Sequence, residues 1–383
     1  MSDRWRVPLF RPTIGTVEEE AVLRVLRSGW LTTGPETAAF EQEVADVVHA
    51  PYAVATSSGT HAMQLALMAH DIGGGHEVIT SPITFAATVA AICDVGATPV
   101  LADIDPINGN LCPEGAARAI TERTRAILPI HLAGHPADHE AFGKLSRQHD
   151  LVIIEDAAHA LETVALREDL PVDAACFSFY ASKNMTTAEG GMIVTHNKAV
   201  ADRARDLRCH GMTRAIADRH GSASPWSYDI THRGIKANMS DLAAALGRAQ
   251  LPQVMGWHER RRQIVGIYLE QLSDLAELSM PSGLNDSTHA WHLFTVRIAH
   301  DLRDRVLAYM TESGIGCSVH FQPVFDLTAY KSLFPNGAGQ MPNATNWAAT
   351  TLSLPLFPTM SDEEVHLVIE TLRTALEATG GNQ

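Results

Sequence analysis

The sequence predicts an α/β protein: a large unit with a mostly parallel seven-stranded sheet between helices, then a smaller C-terminal α+β unit. Three observations lead there. A chain of 383 residues is too long for one typical domain and suits one large unit plus a smaller one. Apolar runs alternate with helical stretches through its first half. The runs are apolar on both faces, as strands covered on both sides must be. Beyond Met239 the pattern changes to a long helical stretch and then a mixed strand–helix segment. The division is expected near residue 250, giving units 1–250 and 251–383.

Taken in order, TVEEEAVLRVLRSG reads as a helix opened by a Thr16–Glu19 capping box and closed at Gly29. After the Gly34-Pro35 turn, TAAFEQEVADVVHA reads as a second helix. YAVATSS is a short strand, and GTHAMQLALMAH has the three-and-four apolar spacing of a helix. EVITSP, TPVLADID, RAILPIHLAG and DLVIIEDAA follow as strands separated by helical stretches. AACFSFY and GGMIVT complete a sheet of seven. The stretch SDLAAALGRAQLPQVMGWHERRRQIVGIYLEQL is helical with a break near Pro252. HLFTVRI is a strand, LRDRVLAYMTESG a helix, the region of Cys317 another strand, and a terminal helix begins near Ser361.

Composition narrows the function. A formal charge of −15 opposes broad contact with nucleic acid or anionic lipid, while leaving room for a local anion site. The five cysteines are scattered without a CxxC pair, which reads as reduced, buried thiols in a reducing compartment. MSDRWRVPLF lacks the apolar core of a signal peptide, and the longest apolar stretch, Phe85 to Cys93, is too short to span a bilayer. A cytoplasmic protein is expected. His131, His135 and His139 recur every four residues, but Gly134 and Pro136 break any helix that would align them, so no metal is expected. ERRR, Glu259 to Arg262, reads as a solvated helix face. His289 and His292 flank Trp291 as packing residues, with His292 also placed to line a pocket.

In an open parallel sheet, ligands sit at the carboxyl ends of the strands. Three pieces fall there. SSGTHA, Ser57 to Ala62, puts Gly59 at a helix start, where free N–H groups and the positive dipole end suit an oxyanion, or simply a cap. IIEDAAHA, Ile153 to Ala160, delivers Asp156 and His159 from an apolar strand; Asp156 suits a heterocyclic N–H, or a structural turn. FSFYASKNMTTAEGG, Phe177 to Gly191, places Lys183 after an apolar strand, where desolvation would depress its pKa as imine chemistry requires. A phosphate cradle, an acid for a ring nitrogen and an amine for an aldehyde together make a pyridoxal-phosphate site.

With SGWLTTGP, SSGTHAM, EVITSPITFAAT, GATPVLADID, IEDAAHA, FSFYASKNMTTAEGGMIVT, GIKANMSDLAAALG, HAWHLF and SLPLFPTMSDEE, the chain resembles the DegT/StrS-type sugar aminotransferases, a branch of the fold type I pyridoxal-phosphate enzymes. The resemblance implies that Lys183 carries pyridoxal 5′-phosphate and shuttles the substrate proton, while Asp156 binds the pyridine nitrogen. Phe85 would lie on the ring face, His159 beside the ring near its phenolic oxygen, and Gly59, Thr60 and Ser178 on the phosphate. Asn238 would reach the cofactor phosphate of a neighbouring subunit, implying a homodimer. Thr32, Lys236 and His320 would contact substrate, and Arg214, Arg219 and Arg233 are placed to meet a diphosphate.

Lysine at 183, where some members carry histidine, argues for transamination over sugar dehydration. HAWHLF, the KxN form of the dimer element and the VHF segment look closest to enzymes aminating C4 of a 4-keto sugar, of the UDP-4-amino-4-deoxy-L-arabinose type. Ile235 and Ala237 replace tyrosines common beside Lys236, and around Pro323 the stretch FQPVFDL has phenylalanine where a histidine is frequent, so the resemblance fixes the reaction more firmly than the sugar. The expected function is ping-pong transfer from an amino acid, glutamate by analogy, to a nucleotide-linked keto sugar. Transfer to C3, a keto-polyol acceptor, and a non-catalytic cofactor-binding regulator are the alternatives.

Overall fold

The computed structural model describes residues 4–165, 172–212, 229–283 and 286–380. Helix α1 (Thr16–Ser28) is capped one residue earlier than expected, at Gly15: Glu18 accepts the Gly15 N–H at 2.8 Å, and Thr16 is already helical. Gly29 ends it in the left-handed region, φ 74°, which glycine adopts without strain. Helix α2 (Pro35–Val47) opens on Pro35, whose missing N–H costs a first helical position nothing. Its cap comes from far along the chain. The buried Asp241 carboxylate accepts from Gly34 N, Thr37 N and the Thr37 hydroxyl at 2.8, 3.0 and 2.7 Å.

The alternation expected from residue 52 onward is present: β1 (Tyr52–Thr56), α3 (Gly59–Ala69), β2 (Glu77–Thr80), α4 (Ala87–Asp94), β3 (Thr98–Leu101), α5 (Pro113–Ala119), β4 (Thr124–Leu128), α6 (His139–His149), β5 (Val152–Asp156), α7 (Leu161–Ala165), β6 (Ala174–Ser178), β7 (Gly191–Thr195) and α8 (Lys198–Leu207). The seven strands lie in the order β1-β7-β6-β5-β4-β2-β3. The ladders from β3 to β6 are parallel, but β7 runs antiparallel to both β1 and β6. The link between β6 and β7, residues 179–190, holds no helix, and a parallel return normally needs one. Alternate residues serve opposite faces. Val54, Ile154, Cys176 and Ile193 pack with α3, α4 and α8, whereas Ala55, Phe177 and Val194 pack with Phe40 and Val44 of α2.

The break at Pro252 is a 3₁₀ turn between α9 (Asp241–Gln250) and α10 (Val254–Leu272). Then come β8 (Leu278–Ser279), β9 (Phe294–Ile298), α11 (His300–Glu312), α12 (Gly337–Gln340), α13 (Pro342–Thr350), β10 (Thr351–Leu354) and α14 (Asp362–Gly380). β10, β9 and β8 form a three-stranded antiparallel sheet. The expected strand at Cys317 is absent. That segment divides its partners, Ile315 bridging to Val7 and Ser318 to Ser353, so no ladder extends along it. Val7, from the other end of the chain, is thereby buried in the second core with Tyr268, Phe294, Leu352 and Val368. Among the described residues no helix is long and apolar enough to cross a membrane. All five cysteines are free, but only Cys176 is fully buried; the other four are half-buried.

Candidate active site

The first strand ends at Thr56, and Ser58 caps α3 by accepting the His61 N–H at 3.1 Å. Helix α3 therefore points its N-terminus across the ends of β6 and β7, and two glycines let it seat there. A Cβ on Gly59 would stand 2.8 Å from Ser178 Cβ, and one on Gly191 would stand 2.4 Å from the Ser58 carbonyl carbon. Gly59, Thr60 and Ser178 line one wall of a cavity of about 400 Å³. Its free backbone N–H groups and dipole end suit an anion.

Into the same cavity β5 delivers Asp156, which is 6% exposed. One carboxylate oxygen accepts the Thr88 hydroxyl at 2.7 Å, and the other accepts the Ala158 N–H at 3.1 Å. Thr88 in turn shares a 2.7 Å hydrogen bond with Thr84. Two donors fix the carboxylate's direction and leave lone pairs for a third. Phe85 reaches the same cavity 65% exposed, an aromatic face without a cover on one side.

Lys183 follows β6 in the helix-free link, its N–H donating to the Tyr180 carbonyl at 2.9 Å. Burial pushes its ammonium down from 10.5 to about 8, against the attraction of Asp156. Three imidazoles share its surroundings. His159 and His292 have ring centroids 4.3 Å apart, and the His159 ring stacks on Phe321 at 6.1 Å. Burial, with Lys183 second, holds both His159 and His292 well below the ordinary histidine value. His320, hydrogen-bonded to the Ser353 hydroxyl at 2.8 Å, is pushed down to about 4 by the same two causes. A second cavity of about 120 Å³ adjoins the first, with Lys183, His292 and His320 in both walls.

One cavity thus gathers Lys183, Asp156, His159, Phe85, Gly59, Thr60, Ser178 and His320. Asn238, Lys236 and Thr32 do not line it. Asn238 donates to Thr33 and accepts from Lys236, while Lys236 and Thr32 are exposed, so the three lie together on the surface. Arg233 is also exposed, and Arg214 and Arg219 lie outside the described residues. His292, first read chiefly as packing, is a cavity residue; His289 does pack, stacked on Trp291 at 3.7 Å.

Two sequence readings need correction. ERRR is not a uniformly solvated face: Arg261 is 4% exposed and stands 3.9 Å from the fully buried Glu162. His131 and His139 do meet, although on no common helix. Both contact the buried Glu155, at 3.2 and 2.7 Å. The Ala137 N–H occupies His131 Nδ1, so in the neutral ring Nε2 carries the proton toward Glu155. The ligand atoms of all three residues lie within 4.8 Å of one another, and His139 Nε2 is buried without a hydrogen-bond partner. Thr84, Tyr180 and Glu189 also line the cavity, and Thr88 braces Asp156, four residues that the sequence reading passes over. Thr88 was discoverable, since it follows a strand in EVITSPITFAAT.

The groups fit pyridoxal phosphate on this geometry: an anion cradle that a Cβ would fill, a buried carboxylate with lone pairs to spare, an uncovered aromatic face and a depressed lysine. Residues 12–373 match the DegT/DnrJ/EryC1/StrS aminotransferase family. The chain is 41% identical over 374 residues to the spore coat polysaccharide biosynthesis protein SpsC of Bacillus subtilis, covering 96% of each. It resembles the PMP form of a putative sugar aminotransferase, Spr1654 from Streptococcus pneumoniae. There the TM-score is 0.90 and the identity 31%, over 98% of this chain and 100% of that one. Against S. venezuelae DesV the TM-score is 0.85 with 35% identity, over 93% of each.

Proposed function

Because this chain belongs to the DegT/DnrJ/EryC1/StrS aminotransferase family, and is with it a pyridoxal-phosphate-dependent sugar aminotransferase, we propose that it aminates C4 of a nucleotide-linked 4-keto sugar. The donor is an amino acid, L-glutamate in this reading, and the nucleotide is UDP or dTDP. The observation that carries the site assignment is the single cavity holding Lys183, Asp156, His159 and the α3 N-terminus. The name of SpsC supports a polysaccharide pathway.

Gly59, Thr60 and Ser178 would hold the cofactor phosphate, Asp156 its ring nitrogen, Phe85 a ring face and His159 the phenolic edge. Bound there, pyridoxal phosphate supplies an aldehyde for amine exchange and a protonated ring that accepts electron density. The chain's own part is positioning and proton transfer. Thr88 and Ala158 aim the Asp156 carboxylate. Lys183, neutral above about pH 8, takes a proton from the amino-acid Cα and returns one to the sugar carbon. Splitting the exchange into two half-reactions lets one site serve both substrates in turn.

The surface group Thr32, Lys236 and Asn238 would complete the site of a second subunit in a homodimer, with Asn238 on its phosphate. The division into units 1–250 and 251–383 belongs to this proposal too, with residues near Val7 riding on the second unit. A cytoplasmic location completes it. The direct test is the absorbance spectrum of the loaded protein before and after glutamate, with Lys183→Ala alongside, followed by UDP- and dTDP-linked 4-keto and 3-keto sugars. Amino sugar formed only from the 4-keto compounds supports the proposal. Product from the 3-keto compounds alone overturns the C4 assignment. Mixing Lys183→Ala and Asn238→Ala chains tests the shared site, because a dimer carrying one of each regains an intact site.

A further inference from the structure

Of the three imidazoles around Lys183, His292 has its proton position dictated by the protein. The Asn184 amide nitrogen donates to Glu162 Oε1 at 2.7 Å and to the Ala290 carbonyl at 3.2 Å. A carbonyl has no proton to give, so the amide cannot be turned over, whatever the ionisation of Glu162. Asn184 Oδ1 therefore faces His292 Nδ1, at 2.9 Å, as an acceptor. Neutral His292 must carry its hydrogen on Nδ1, which leaves Nε2 with a lone pair. His292 shares the walls of both cavities with Lys183. Behind Asn184 the chain of contacts ends in Glu162 and Arg261, 0% and 4% exposed.

We propose that His292 is a positioning residue for Lys183: its Nε2, fixed as an acceptor through Asn184, takes a hydrogen bond from the lysine amine when the aminated cofactor fills the site and leaves that amine free. The inference rests on the reading of Lys183 as the proton carrier. The hydrogen bond holds the amine toward the cavity between its two proton transfers. The charged and titratable groups around the pair are Lys183, His159, His320, Arg261 and Glu162, with Asp156 acting on Lys183. His292 stays neutral among them, so the acceptor is present throughout the lysine's titration. A neutral acceptor stabilises an ammonium more than an amine. Its removal lowers the pH at which Lys183 loses its proton.

The test uses the full chain loaded with pyridoxamine 5′-phosphate, the form that leaves Lys183 free. Carbamylation of Lys183 by cyanate is followed against pH by peptide mass spectrometry. His292→Phe is expected to lower the midpoint by about one pH unit, a tenfold change in ionisation constant, the size of one charge-assisted hydrogen bond. His292→Gln, which offers an acceptor oxygen, restores most of the shift. Asn184→Leu, which frees the ring to carry its proton on Nε2, reproduces it in part. Midpoints that do not move in His292→Phe, or that move equally in His292→Gln, overturn the proposal. A second reading needs no variant: ¹⁵N spectra of the wild-type protein must show His292 protonated on Nδ1, and protonation on Nε2 overturns it. No sugar or amino acid enters either measurement. A wrong sugar assignment is therefore distinguishable from a failure here.

Discussion

Replacing Gly59 by alanine tests the phosphate cradle with one methyl group. The new Cβ would stand 2.8 Å from Ser178 Cβ, 3.2 Å from Ser178 Cα and 3.3 Å from the Phe177 carbonyl oxygen. Comfortable carbon contacts lie near ~3.7 Å, so the start of α3 must retreat by roughly 1 Å. Overpacking of this kind costs about 1–3 kcal/mol. Alanine's better helix propensity returns about 0.5–1 kcal/mol. The net loss of stability is about 1 kcal/mol. Displaced backbone donors would also weaken their charge-assisted hydrogen bonds to phosphate, lowering cofactor affinity about tenfold. Equilibrium titration with pyridoxal phosphate and urea unfolding read the two effects separately. Adding Ser178→Gly removes the closest contact, so stability should recover while affinity does not, since the Ser178 hydroxyl is gone as well. An unchanged affinity in Gly59→Ala would falsify the placement of the phosphate at α3.

Cofactor capture needs a neutral amine, so its rate should rise with pH through about 8 and then level off, as stopped-flow absorbance can follow. Stability carries the same signature. Lys183 is depressed in the fold from 10.5 to about 8, so between these values the unfolded chain holds the extra proton. The cofactor-free protein should therefore gain stability as pH rises through that window, less so in Lys183→Met. Thr88→Val removes a donor to Asp156 at nearly constant volume, and should cost about 1 kcal/mol in urea unfolding and loosen cofactor binding severalfold. Arg261→Met leaves Glu162 buried beside no cation, and should cost about 3 kcal/mol. Pairing it with Glu162→Gln should recover most of that in the same unfolding assay.

The strands were legible because each is an apolar run between polar breaks, and burial on both faces leaves no other composition open to them. Direction was not legible for GGMIVT, since an antiparallel strand buried in a parallel sheet has the same apolar pattern; the missing helix after Ser178 is the only local cue. Pairing was lost near Cys317, where the competing partners, Val7 and Ser353, lie far away in sequence. At the site, Asp156 announces itself as a charge that ends an apolar strand, and Lys183 as one that closely follows another. Thr88 and Asn184 do not, because a neutral polar side chain in a turn or helix start has a capping role by default. Arg261 was misread because its neighbours Glu259 and Arg262 are exposed, and helix periodicity alone does not distinguish one arginine in three.

Strand β7 also sets a schedule for the growing chain. It lies between β1 and β6, and among the described residues β1 pairs with no other strand. The first strand to leave the ribosome must therefore wait for a partner translated roughly 135 residues later. At ordinary elongation speeds that is about 7–27 s. Through that interval YAVAT is an apolar segment with unmet backbone groups, the kind of sequence holdase chaperones retain. The anion cradle cannot be complete before Gly191 is made, because the backbone of Gly191 packs directly against Ser58 at the start of α3. Nascent chains truncated before Gly191 should therefore be unable to retain a phosphate ligand, however complete their other strands.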